Sequence, residues 1–422
     1  MSTLALRPLR RRYFRSPHVL FRWRAGLPFP AGATYSRSSP AWYIGADGLL
    51  RQAAANVPRI DWSHGRPALR LEPARTNLVA WSSQLSKWTK GGTPTVTDDA
   101  IAFGALSLAL VRDPTAGVLN YVLLPVTFTG DGQRCVSVYL AQGPNPSPTG
   151  THIVLRDGIA GVDRLRARVT WSAGAPAVTM ITGTQITAPE HVRQGIYRLQ
   201  FRSTAVTAAN SHTVQIEPAR EGETGDVYAG GVQVENAVVP SSLIVTEGAG
   251  TAQIRQADSL YFPLPPALSR PAPFTVYVRW IAHYDGDGGL VSPGMIRIGG
   301  PNLNGTAIII FTQAGSGNIR AAHYNGTGQS VHATTSIVPA AGDLMEAMLT
   351  FGADGSGVLV AAANGGTPAW GNLPALAPAA QWTLARAYLN AGNVTGAGDY
   401  LDLLLLRGAS WTMDQIREVV GV

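Results

Sequence analysis

The sequence predicts an all-β protein: an N-terminal extended arm and a small β module, followed by two antiparallel β-sandwich (jelly-roll) domains and a short C-terminal helix. Its 422 residues include 47 glycines and 29 prolines, which favours short strands joined by turns. Apolar and polar residues alternate with period two in many separated segments, as in half-buried antiparallel strands. The length exceeds one ordinary core and indicates two or three domains.

Residues 1–32 form a basic arm with little apolar periodicity. The first 80 residues hold 13 arginines against Asp47, Asp61 and Glu72, in a chain whose net charge is +7. Guanidinium groups can pair with the phosphates of nucleic acid or with the carboxylates of a protein partner. The third possibility is a solvated tail that binds neither. The arginines that we expect to anchor the arm are Arg7, Arg10, Arg11, Arg12 and Arg15. No apolar run follows them, so we expect no signal peptide.

Residues 33–77 form a small β module of short extended pieces joined by turns. Ala46-Asp47-Gly48 predicts a tight turn ahead of Leu49-Leu50. Asn56-Val57-Pro58 favours an extended residue before the proline, and Gly65-Arg66-Pro67 turns the chain again. The pattern of this segment is neither helical nor catalytic.

This module resembles, in order and spacing, one found in many structural proteins of tailed bacteriophages and prophages, where it precedes β-sandwich domains. The residues that carry the resemblance are Arg37, Ser38, Tyr43, Asp47, Gly48, Leu49, Ala54, Pro58, Arg59, Leu71, Glu72, Arg75, Thr76, Asn77 and Leu78. The resemblance implies a virion protein, for which we expect the arm to meet carboxylates of other virion proteins and not nucleic acid. We expect Glu72, Arg75 and Asn77 to act structurally between modules, by bonding backbone groups.

The alternating pattern within residues 78–247 predicts the first sandwich. Its alternating segments are Gln133–Leu140, Arg164–Trp171, Gly195–Arg202, His212–Glu217 and Asp226–Glu235. With Trp81 and Trp88 ahead of them and Gln233-Val234-Glu235 at the close, their order resembles the jelly roll of carbohydrate-binding modules. For function this fold-level resemblance is an analogy only. Cys135 lies within one alternation, where we expect a buried strand residue.

The strand-like segments within residues 248–422 predict the second sandwich. Its strands are Phe274–Trp280, Gly294–Ile298, Ala307–Phe311, Asn318–Tyr324, Leu344–Phe351, Gly357–Ala361 and Tyr400–Leu406. Thr412 and Gln415 then have the spacing of a capping box, and Trp411 with Ile416 that of a hydrophobic staple. Met413, Ile416 and Val420 would line one face of the helix. An opening strand at Phe274 and a closing helix resemble the concanavalin-like, laminin-G-like lectin fold.

The sequence holds no hydrolase, metalloprotease, phosphate-loop or dinucleotide motif, and we expect no cofactor and no bound metal. Glu221, Glu223 and Asp226 form a carboxylate cluster of the kind that glycosidases use, although their order and two glycines favour a solvated loop. Asp285 and Asp287 have oxygen ligands suited to calcium, but a plain hairpin explains them better. Tyr284 and Tyr324 are our candidates for stacking on sugar rings.

Together these observations predict a non-enzymatic virion protein of a phage or phage-like particle. We expect it to be made in the host cytoplasm, held by its N-terminal region, and present in many copies or as a homo-oligomer. Its lectin-like sandwiches would bind host-surface polysaccharide or decorate the particle as a tail, fibre, spike or capsid component. The alternative is a polysaccharide-degrading enzyme with a lectin-like domain. No apolar run reaches membrane-spanning length, so we expect no membrane partner.

Overall fold

The computed structural model of the chain describes residues 19–22, 29, 32–220, 222–246, 250–264, 273–283, 294–299, 306–325, 329–376, 386–389, 398–407 and 411–420. Within these ranges the protein consists of antiparallel sheets with a short α-helix near its C-terminal end, which confirms the predicted all-β class. The arginines proposed to anchor the arm, at positions 7 to 15, lie outside the described residues.

The strands fall into three groups along the chain. The first group comprises β1 (Val19–Arg22), β2 (Thr34–Ser36), β3 (Ala41–Ile44), β4 (Leu50–Ala53), β5 (Arg59–Asp61), β6 (Ala68–Leu71) and β7 (Arg75–Asn77). The second comprises β8 (Thr89–Gly91), β9 (Thr95–Phe103), β10 (Leu106–Asp113), β11 (Tyr121–Val126), β12 (Cys135–Gln142), β13 (Thr151–Asp157), β14 (Val162–Ser172), β15 (Ala175–Thr182), β16 (Thr184–Gln185), β17 (Glu190–Arg193), β18 (Ile196–Arg202), β19 (His212–Glu217) and β20 (Gly225–Glu235). The third comprises β21 (Gln253–Arg255), β22 (Ser259–Pro263), β23 (Phe274–Ala282), β24 (Gly294–Gly299), β25 (Thr306–Thr312), β26 (Ile319–Asn325), β27 (Ser330–Thr334), β28 (Leu344–Phe351), β29 (Gly357–Ala363), β30 (Ala369–Leu373), β31 (Arg386–Leu389) and β32 (Gly398–Arg407). The helix α1 spans Met413–Val420.

The chain divides into two compact units. One, the C-terminal unit, consists of Met1–Ser36, Ala68–Glu72 and Asp258–Val422. The other, the jelly-roll unit, consists of Arg37–Pro67 and Pro73–Ala257. The segment 33–77 therefore contributes strands to both units. The division of the sequence into an arm (1–32), a β module (33–77) and two sandwiches (78–247 and 248–422) stays a prediction.

The jelly-roll unit is a sandwich of two antiparallel sheets. The front sheet has the order β15-β14-β13-β19-β11-β8, and the back sheet the order β16-β18-β12-β20-β10-β9, with β17 also paired to β18. Side chains of both sheets meet in one apolar core, because alternate residues of each strand point inward. Val136, Val138 and Leu140 of β12 are fully buried members of it. Cys135 on the same strand is also buried, as predicted.

The hairpin β3–β4 covers the outer face of the back sheet. Its turn has Gly48 at a φ of 73°, and the amide of Gly45 bonds the carbonyl of Leu49 at 2.9 Å, which confirms the predicted turn. Trp42, together with Ile44 and Leu50, packs on a second apolar cluster. The partners of the hairpin in that cluster are Phe103, Leu106, Leu108, Tyr139, Ala141, Ile196 and Leu243. Strand β12 is thus buried on both faces, which explains its nearly continuous apolar sequence.

The C-terminal unit is a second two-sheet sandwich. One sheet contains the path β30-β29-β28-β23-β32-β6, with β1 also paired to β32, and the other has the order β2-β22-β31-β24-β25-β26-β27. Between the sheets His323 packs edge-on against Phe351, with 4.9 Å between ring centroids. The hydroxyl of Tyr400 donates to the carbonyl of Met295 at 3.0 Å. These contacts join the two sheets of this unit.

The helix α1 packs on the outer face of the β23–β28–β32 sheet. Thr412 and Gln415 form the predicted capping box: the Thr412 amide donates to Oε1 of Gln415 at 2.9 Å, and the Gln415 amide donates to Oγ1 of Thr412 at 3.3 Å. Met413 and Ile416 are buried against this sheet, as expected. The side chain of Val420, predicted on the same face, lies outside the described set.

Candidate functional site

The outer face of the front sheet of the jelly-roll unit carries a dense group of charged side chains. Leu165, Ala167 and Val169 of β14 point into the core, so Arg166 and Arg168 between them point outward. Cross-strand register adds partners from β13 and β19. We call this set the arginine face; its members are His152, Arg156, Asp163, Arg166, Arg168, Glu217 and Arg220.

Arg166 is the centre of the arginine face. Its Nη1 and Nη2 bond Oε2 and Oε1 of Glu217 at 2.8 and 3.1 Å, a bidentate pair, and its Nε bonds Oδ2 of Asp163 at 2.6 Å. Arg156 bonds the other oxygen of Asp163 at 3.1 Å, and Arg220 bonds Oε2 of Glu217 at 3.1 Å. Glu217 is 1% exposed, whereas the side chains of Arg156 and Arg220 are 42% and 43% exposed. The carboxylates therefore lie beneath a partly exposed layer of guanidinium groups.

His152 lies between Arg168 and Glu217 in the register of the sheet. Its Nδ1 is 3.3 Å from Nη1 of Arg166, and its Nε2 is buried without a partner. Burial, helped by the positive charge of Arg166, lowers the pKa of His152 to about 4. The imidazole is therefore neutral near pH 7 and adds no charge to the arginine face.

In the predicted carboxylate cluster, Glu223 and Asp226 bond groups of the protein itself. Oε2 of Glu223 accepts hydrogen bonds from Oγ of Ser147 and Oγ1 of Thr149, both at 2.6 Å, and these bonds lower the pKa of Glu223. Asp226 accepts from the amide of Asn145 at 2.7 Å and pairs with Arg112 at 3.2 Å. Both carboxylates thus fasten the loop before β13 to the start of β20. Glu221 lies outside the described residues.

Asn77 in the jelly-roll unit bonds backbone groups only. Its Nδ2 donates to the carbonyls of Val232 and Ile244 at 3.1 and 2.8 Å. Its Oδ1 accepts from the amides of Val79 and Val234 at 3.0 and 3.2 Å. The side chain is fully buried, and it joins β7 to the closing strand β20 and the segment after it.

The other two residues proposed to act between modules belong to different units. Arg75 pairs with the buried Glu235 of the jelly-roll unit, with 3.8 Å between Nε and Oε2. Glu72 belongs to the C-terminal unit, where its amide donates to Oδ2 of Asp258 at 2.8 Å and its carbonyl accepts from the Asp258 amide at 2.9 Å. All these contacts lie within the chain, and the structural role of the three residues between modules stays a prediction.

Tyr324 is half-buried on the outer face of the β24–β25–β26 sheet in the C-terminal unit. It packs on an apolar cluster that includes Ile309 and Ala322, and meets His332 edge-on at 6.2 Å between ring centroids. Arg320 on the same face lies 6.0 Å from the ring centroid of Phe311. Tyr324 as a sugar platform stays a proposal. Tyr284, Asp285 and Asp287 lie outside the described residues.

Sequence reasoning missed the arginine face, although part of its signal is visible. The run Arg164-Leu165-Arg166-Ala167-Arg168 places arginine at every second position of a strand, and so on one face. The carboxylates that pair with them lie up to 51 residues further along the chain, at Glu217. Which side chains meet depends on the pairing of β13 with β14 and β19, which local pattern does not fix.

Comparisons with known proteins give little beyond this geometry. No protein family and no curated protein matches the sequence. Among solved structures, the chain is similar to the crystal structure of tail fiber protein gp63.1 from a phage of E. coli, with 9% sequence identity and a TM-score of 0.20. The similarity covers 81% of this chain and 41% of that one, so this chain spans less than half of the fibre protein. A likeness of this size carries no argument about function.

Across the described ranges, no three His, Cys, Asp or Glu side chains converge in a way that would hold a metal ion. In the same part of the chain, no helix has the length and apolar character needed to cross a bilayer.

Proposed function

We propose that the protein is a non-enzymatic structural component of a phage or phage-like virion, which adheres to host-surface glycans or decorates the particle. The observation that carries this proposal is the role of the residues shared with the phage module. Arg37 is 1% exposed and bonds backbone carbonyls, among them those of Ser39 at 2.7 Å and Ala54 at 2.8 Å. Arg59 is fully buried and bonds Oγ of Ser242 at 2.7 Å.

These bonds give the shared residues a structural purpose. Arg37 holds the turn after β4, while Arg59 and Asn77 connect the module to the segment that follows β20. Most of the module, residues 37–67 and 73–77, belongs to the same compact unit as the sandwich behind it. This supports the resemblance to virion proteins, in which the same module precedes β-sandwich domains, and it gives the motif a reason other than ligand binding.

The N-terminal region would dock on other virion proteins, with its arginines meeting carboxylates, and many copies would be present in one particle. Many copies multiply weak contacts through effective concentration, so each sandwich needs only a shallow site. Host-surface polysaccharide is the proposed ligand, and the virion is the proposed location.

The experiment that tests adhesion without turnover uses the full-length chain on an array of host-surface polysaccharides. We expect binding with a single-site Kd of roughly micromolar to millimolar and no release of oligosaccharide on long incubation. Tyr324→Ala should weaken binding if the C-terminal unit contributes an aromatic platform. Binding to no host glycan would leave only the decorating role.

The enzyme alternative has its own test. Glu223 and Asp226 already accept bonds from their own loops, which supports a structural role for both. We expect Glu223→Gln and Asp226→Asn to leave glycan binding in place. New reducing ends released by the wild-type chain and lost in either variant would establish a depolymerase and overturn the non-enzymatic proposal.

A further inference from the structure

The arginine face has more positive than negative charge. Arg156, Arg166 and Arg220 share only two carboxylates, those of Asp163 and Glu217. Each carboxylate binds two guanidinium groups, so three positive charges meet two negative charges within the network. Because two of these arginines are more than two-fifths exposed, the excess charge lies at the solvent side of the sheet.

Arg168 increases that excess. It is half-buried on the same face and, among the described residues, has no carboxylate partner. Its one described bond runs from Nη2 to Oγ1 of Thr179 at 3.5 Å, which is long, and its Nε is buried without any partner. A guanidinium group has five N–H donors and can bond both oxygens of a carboxylate. Arg168, with one long bond among the described residues, is therefore suited to bind an anion.

Neutral hydrogen-bonding groups surround these charges. Thr179 on β15 is exposed, Thr170 on β14 and Thr213 on β19 are half-buried, and all three lie on strands of the front sheet. Ile181, also on β15, is 56% exposed. A face that combines guanidinium, hydroxyl and apolar groups matches a sugar chain, which offers hydroxyls and C–H surfaces between its charges.

We propose that the arginine face binds an acidic polysaccharide, with a carboxylate of the sugar docking on Arg168 and Arg220 on either side of His152. This inference rests on the proposed glycan adhesion and specifies the ligand class as anionic. The side chains that form this surface favour a glycan over nucleic acid. The arginine face and the threonine and isoleucine residues around it include no exposed aromatic ring on which the bases of a single strand could stack.

The test measures binding of the full-length chain to oligogalacturonate, with its methyl ester as the uncharged match. We expect the acid to bind at least about tenfold more tightly than the ester, and Arg168→Gln to remove most of that difference. Arg220→Gln, on the exposed rim, should reduce it by about threefold or more. Arg51→Gln removes a similarly exposed arginine from the hairpin at the opposite face and should change nothing. Thermal unfolding of each variant checks that it folds.

Equal binding of acid and ester, or an Arg51→Gln effect as large as that of Arg168→Gln, overturns the arginine face as the site while glycan adhesion stands. A single-stranded oligonucleotide that binds more tightly than oligogalacturonate, and loses affinity in Arg168→Gln, shows instead a nucleic-acid surface and also overturns it. Binding to no glycan, charged or neutral, contradicts the proposed adhesion itself.

Discussion

Single residues hold the small β module to its sandwich, and Asn77 is the clearest case. Its amide satisfies four buried backbone groups at once, in Val79, Val232, Val234 and Ile244. Asn77→Ala leaves these groups without partners, so we expect the free energy of unfolding to fall by about 3 kcal/mol or more. Urea unfolding measures this. Asn236→Ala, at an exposed position, is the control and should cost less than about 0.5 kcal/mol.

Two buried histidines make stability depend on pH. Burial lowers the pKa of His152 and of His323 from 6.5 to about 4. The unfolded chain therefore takes up these protons first as pH falls. Their contribution to stability is complete above pH 6.5 and is lost between about 6.5 and 4, with ~2–3 kcal/mol at stake for each.

The matching measurement compares denaturant midpoints at pH 7 and pH 4. His152→Gln and His323→Gln should each reduce the loss of stability between the two pH values, while His191→Gln, at an exposed position, should not. An unchanged pH dependence in both buried variants would show that folding does not lower the pKa of either histidine.

At the residue scale the sequence predicts local contacts better than distant ones. The capping box of Thr412 and Gln415 and the burial of Cys135 are correct, because each depends on neighbours within a few positions or on strand alternation. The partners of Asn77 lie up to 167 residues away. Only the assembled sandwich brings them together, so the sequence indicates that this amide bonds backbone but not which backbone.

Among the elements, the hairpin β3–β4 has the most direct effect on the sandwich beneath it. Trp42 is 9% exposed and packs on the apolar outer face of the back sheet. Trp42→Ala should lower the free energy of unfolding by about 3–5 kcal/mol, because it removes a large buried side chain and leaves a cavity. Val57→Ala, in the same module but 46% exposed, should change it by less than about 0.5 kcal/mol. Equal effects of the two changes would mean that the hairpin is not packed in solution.

Strands with unbroken alternation are predictable, and irregular strands are not. His212–Glu217 has the bounds that alternation predicts. Strand β9 is not predicted from the sequence pattern. Asp99 within it adopts a φ of 56°, and its register with β10 shifts between Leu108 and Leu110. A bulge of this kind moves later side chains to the other face and interrupts the period-two pattern.

On the scale of the whole molecule, the sequence predicts two β-sandwiches and the structure contains two. It does not predict that both are built from separated stretches of chain, with Ala68–Glu72 in the C-terminal unit and the residues on either side in the jelly-roll unit. Such an exchange depends on pairings such as β6 with β32, more than 300 residues apart, which alternation within each strand cannot specify. The arginine face is hidden from the sequence for the same reason.

We propose that the protein belongs to a virion and joins it through its N-terminal region. The most direct measurement is the number of copies per purified particle, by quantitative mass spectrometry, for the wild-type chain and for a chain without residues 1–17, which keeps strand β1. We predict that the shortened chain remains folded and binds glycan but is lost from the particles. Normal incorporation of the shortened chain, or absence of the wild-type chain from the particles, would contradict the claim.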